Sequence, residues 1–142
     1  MATVELRFSA LPEHVRTARL VAAAVARRAG VDEAVLDELR LAVGEACSRA
    51  VGLHRSSGIT APVSVVLTEE EKKFSIEVGD AAPRGTGSGA DTPAADDGSA
   101  EGDDQMGLAV ISGLVDDVEV STGEEGGVIR MSWPTTPAPT LP

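Results

Sequence analysis

Between Glu13 and about Leu53 the chain reads as two amphipathic helices in immediate succession, and nothing else limits its fold as strongly. In the first, Val15, Ala18, Leu20, Val21, Val25 and Ala29 form an apolar stripe at helical spacing, and arginines fill the other face. Gly30 suits the left-handed residue that closes such a helix. Asp32 suits the N-cap of the second, because its carboxylate can accept an otherwise orphaned backbone N–H. There Val35, Leu36, Leu39, Val43, Ala46 and Ala50 fall three and four residues apart, and Gly52 with the run RSSG places the end near Leu53. Two helices with one apolar face each need a cover. Residues 3–8 alternate, with Val4, Leu6 and Phe8 to one side, and read as a strand. Residues 62–68 and 74–80 flank the polar turn EEEKK, and 117–122 and 127–133 flank GEEGG, giving two hairpins. A short apolar helix is expected over 106–115. The order predicts an α+β protein: a two-layer sandwich with helices on one face of a mixed, mostly antiparallel sheet.

The 142 residues suffice for one domain, placed at 1–133. Residues 81–104 hold Pro, Gly, Ser and Thr with six acids (Asp91, Asp96, Asp97, Glu101, Asp103, Asp104) and one base, Arg84. Little there can anchor to a core, so a long flexible loop is expected. The Pro-rich tail 134–142 is expected to be extended and without regular structure.

Charge and composition exclude some functions. The formal net charge is −11, so duplex nucleic acid and anionic membranes would be repelled on average. Aromatic residues are 2%, too few for a base-stacking platform, and the core must be aliphatic. No run is long and apolar enough to span a bilayer, and the N-terminus lacks the pattern of a signal peptide. The single cysteine, Cys47, can form no intrachain disulfide, which fits a reducing cytoplasm; with no adjacent His it reads as a buried small residue.

Four segments carry a resemblance: FSALPEHVRTARL (8–20), LRLAVGEACSRAV (39–51), IEVGDAAP (76–83), and QMGLAVISGLVDDVEV followed by GGVIRMSW (105–133). In order and spacing they resemble the anti-sigma-factor serine kinases of the GHKL ATPase superfamily, over nearly the whole domain. The resemblance implies the GHKL two-layer fold, a nucleotide cleft and protein partners: a STAS-domain anti-sigma antagonist, a sigma factor or both, and a second copy of the chain.

Residue by residue, the same resemblance implies a degenerate site. The family's N-box pairs a glutamate base with an asparagine four residues on that ligates magnesium; here Glu45 keeps the first place and Arg49 holds the second. A guanidinium has five donors and no lone pair, so it cannot ligate a cation. An i,i+4 ion pair between Glu45 and Arg49 explains the same spacing. Asp80 stands at the adenine-binding aspartate, yet Ala82 replaces the glycine two residues on; a strand end opening a turn explains Asp80 equally. The second glycine box, whose amides cradle phosphate at a helix N-terminus, reads Asp103-Asp104-Gln105-Met106-Gly107, with only Gly107 retained. The first helix places Arg19, with Arg16, where the family contacts its partners; a solvated helix face is the plainer account. His14 and His54 receive no role. Magnesium and ATP are therefore not expected as cofactors. The preferred reading is a regulatory docking domain with a decayed kinase site. The alternatives are an active serine kinase with Glu45 as base, and a magnesium-independent nucleotide sensor.

Overall fold

A computed structural model describes residues 2–82, 109–115, 117–124 and 126–135. In chain order the elements are β1 (Ala2–Phe8), α1 (Pro12–Ala29), α2 (Glu33–Ser57), β2 (Val63–Glu69), β3 (Lys73–Asp80), β4 (Asp117–Gly123) and β5 (Gly126–Pro134). One further helical turn covers residues 109–114, inside the span where a short helix is expected. Most of the loop expected over 81–104 and most of the tail expected over 134–142 lie outside the described residues. Pro134, however, ends β5, and the Thr135 N–H donates to the Lys72 carbonyl at 3.1 Å.

The sheet order is β1-β2-β3-β5-β4, and every pairing is antiparallel. Register places Val4, Leu67, Ile76, Met131 and Val118 in one row across the sheet, and Leu6, Val65, Val78, Ile129 and Val120 in the next. Both rows face the helices. Leu36, Leu39, Ala42, Val43, Ala46, Cys47 and Ala50 of α2, with Ile111, are buried against them. Each large aliphatic side chain buried this way contributes roughly 1.5–3 kcal/mol. The other face is polar. Ser75 and Ser132 share a hydrogen bond of 3.1 Å, Ser75 donates to Glu70 at 2.9 Å, and Arg130 reaches Glu70 at 3.3 Å. Among the described residues no helix is long and apolar enough to cross a membrane.

Two sequence expectations need correction. First, α2 does not stop near Leu53: it runs to Ser57, and Gly58 at φ 68° is its left-handed cap. Gly52 costs the helix about 0.5–1 kcal/mol relative to Ala, while Val51 and His54 on either side are buried and hold the last turns in place. Second, Leu20 is not part of the buried stripe of α1. The helix buries Val15, Ala18, Ala22, Ala23 and Ala26, and Leu20 is 56% exposed. The small alanines bring α1 close to its neighbours and turn Leu20 outward. Asp32 caps α2 as expected, its carboxylate accepting the Ala34 N–H at 3.0 Å.

Candidate functional site

Because only Gly30, Val31 and Asp32 separate α1 from α2, the two helices form an αα-hairpin. Its outer side holds a groove of about 450 Å³ lined by Arg16, Arg19 and Leu20 from α1 and by Asp37, Arg40 and Leu41 from α2. The first two are the arginines singled out in the sequence. Arg16 is exposed and Arg19 is half-buried. The stem of Arg19 lies over Gly44, close enough that a Cβ there would stand 2.7 Å from Arg19 Cδ. The Arg40 guanidinium is paired with Asp37 one turn earlier.

A second cluster forms where β3 ends. Asp80 is half-buried, and its Oδ1 accepts the Ala82 N–H at 2.9 Å and the Gly127 N–H at 3.3 Å. The first bond is an Asx turn; the second ties β3 to the start of β5. Ala82 is itself buried, 2% exposed, so its methyl is packed within the protein. Beside this turn lies a cavity of about 340 Å³ lined by Pro62, Ser64, Gly79, Asp80, Ala81, Gly126, Gly127 and Val128.

His54 holds the same turn from the helix layer. It is fully buried. Its Nε2 accepts the Ala81 N–H at 2.7 Å and its Nδ1 stands 2.9 Å from the Ala61 carbonyl. An N–H can only donate and a carbonyl only accept, so the ring is the neutral Nδ1–H tautomer. The sequence gives no hint of this role, because a lone histidine at a helix end carries no sign of backbone partners 7 and 27 residues away. His14, likewise unassigned, places Nδ1 3.1 Å from the Ser9 carbonyl and stacks edge-on against Phe8.

Glu45 and Arg49 lie half-buried one turn apart on α2. The ion pairs among the described residues join Arg7 to Glu5, Arg27 to Glu33, Arg40 to Asp37, and Arg130 to Glu70 and Glu77. Neither cavity described above is lined by Glu45 or Arg49. Arg49 offers a cation only N–H donors, so this pair does not form the oxygen donor set that magnesium takes. Gln105 and Gly107 lie outside the described residues. Cys47 is fully buried, and burial pushes its thiol up to about 12.

A helical layer on one face of an antiparallel sheet makes this an α+β domain, with the Asp80 carboxylate at the end of β3. The family model of the histidine kinase-like ATPase domain matches residues 8–133, and the chain belongs to that family. Its fold is similar to the crystal structure of the RsbU and RsbW domains of Rv1364c from Mycobacterium tuberculosis. The TM-score is 0.66 at 16% identity, covering 93% of this chain and 31% of that one. No curated protein matches the sequence.

Proposed function

We propose that this protein is an anti-sigma-factor-like regulator. It docks a STAS-type anti-sigma antagonist, a sigma factor or both through α1, and its inherited nucleotide site has decayed. The observation that carries the docking half is the pair Arg16 and Arg19, side by side in the α1–α2 groove, with Arg19 held over Gly44. Likeness to a structure containing an RsbW domain supports the same reading.

Decay is supported by chemistry at three positions. Arg49 brings a cation where a metal would be ligated. Asp80 spends one carboxylate oxygen on two backbone N–H groups. Ala82 fills space with a packed methyl where the family keeps a glycine. In the sequence, Asp103 and Asp104 add like charge beside any polyphosphate. β1 is an edge strand of the sheet and is the proposed contact for a homodimer.

The test is a phosphotransfer and pull-down assay on the full chain with a STAS-domain antagonist, magnesium and ATP. The expected result is docking without transfer of phosphate, lost on Arg19→Glu. Phosphate transfer that disappears on Glu45→Ala would establish the kinase alternative instead. Thermal stabilisation by a nucleotide without magnesium would establish the sensor.

A further inference from the structure

We propose that the groove between α1 and α2 is a receptor for an acidic amphipathic helix of a partner protein, with Arg40 and Leu41 of α2 forming half of the recognition surface. This rests on the docking reading and adds to it the second helix and the chemistry of the occupant.

The two walls of the groove repeat one pattern. Arg16, Arg19 and Leu20 stand at i, i+3 and i+4 of α1, which is one face of a helix. Asp37, Arg40 and Leu41 stand at the same spacing on α2. Each wall therefore ends in a leucine beside an arginine. Leu20 at 56% and Leu41 at 54% are the two most exposed large hydrophobic residues described in the protein. Leu20 and Leu41 line the same groove, so their exposed apolar surface faces one space rather than being scattered singly over the protein.

Charge selects the occupant. The groove carries three guanidinium groups against one carboxylate; Asp37 and Arg40 offset each other as a pair, so the excess positive charge of the lining comes from Arg16 and Arg19. The whole protein carries −11, so this is a local inversion of sign. Guanidinium groups bind carboxylates bidentately, and a half-buried arginine laid on Gly44 gives up little freedom when it does so. A partner helix that sets two aliphatic side chains a turn apart between Leu20 and Leu41, with acids flanking them, satisfies both features at once. Nucleic acid fits poorly: three cations without an aromatic platform face a strongly anionic remainder.

The experiment uses the full chain and a labelled helical peptide carrying leucines at i and i+4 flanked by glutamates, followed by fluorescence anisotropy. Control peptides replace glutamate by lysine or leucine by alanine. The acidic peptide is expected to bind, to weaken with added salt, and to lose about tenfold or more in affinity on Arg40→Glu and on Leu41→Ala, a loss of about 1.4 kcal/mol. Both positions are on the surface, and the buried Trp133 reports by its fluorescence that each variant is folded. Failure of the acidic peptide to bind, equal binding of the lysine peptide, or indifference to both variants would overturn the proposal. If antagonist docking falls on Arg19→Glu but ignores Arg40→Glu and Leu41→Ala, the α2 half is wrong and the docking reading survives. If docking ignores all three, both fail. A dimer that dissociates on Leu41→Glu would assign the groove to a second copy and also overturn the proposal.

Discussion

The side chain of Arg19 occupies the space above Gly44 that any Cβ would enter, with Cδ only 2.7 Å from that position. An arginine of α1 is thereby held by a residue of α2, and the next residue on α2 is Glu45. The absence of a side chain at position 44 thus shapes the docking face. Gly44→Ala should leave folding stability within about 1 kcal/mol, since the better helix propensity of Ala offsets the displacement of a flexible stem. It should nonetheless weaken partner docking severalfold. Urea denaturation followed by Trp133 fluorescence and a binding titration on the same variant separate the two effects.

His54 joins three parts of the fold through two backbone groups, Ala61 and Ala81. Its removal leaves a half-buried carbonyl and a half-buried N–H without this partner and opens a void where the buried ring sat. His54→Ala is expected to cost about 2–4 kcal/mol. The Ala81 amide, which neighbours Asp80, should then exchange with solvent faster than the amides of β2. Exchange measured by NMR decides this: unchanged protection of Ala81 would remove His54 from its assigned place.

Cys47 provides a pH-dependent signature. Burial raises its thiol from 9.0 to about 12. The folded state therefore keeps its proton in a range where the unfolded chain has lost one. The contribution is fully present below pH 9.0 and is lost as pH rises toward about 12. The urea midpoint of the native protein should fall more steeply above pH 9.0 than that of Cys47→Ala. A thiol reagent should label Cys47 only as the protein unfolds.

Two glycines make opposite forecasts. Gly126 has φ 130°, and a Cβ on it would lie 2.0 Å from the Asp80 carbonyl oxygen. Gly126→Ala should destabilise the protein by about 2 kcal/mol or more, because backbone rather than a movable side chain must yield. Gly52 sits in α2 with nothing within 4 Å of its added Cβ. Gly52→Ala should stabilise by about 0.5–1 kcal/mol. Thermal melts of the pair check both signs.

Helices and strands were legible because their apolar residues recur at unmistakable periods, and capping chemistry at Asp32 and Gly30 gave their joints. Periodicity failed at Leu20, where the alanines of α1 take the contact and the larger residue turns outward. The groove is hidden for the same reason: Leu20 reads as core, and Leu41 falls outside the apolar stripe of α2. Asp80 was legible as an important residue, but its bond to Gly127 depends on a strand pairing that connects positions 47 residues apart. Gly44 gave no sequence signal, because its role is to have no side chain beneath an arginine from another helix.

Calorimetric titration of a STAS-domain antagonist into the full chain, with and without magnesium and ATP, separates docking from nucleotide chemistry. The affinity should be the same in both conditions and should be lost on Arg19→Glu. Docking that appears only with magnesium and ATP, or an affinity unmoved by Arg19→Glu, would contradict the proposed function.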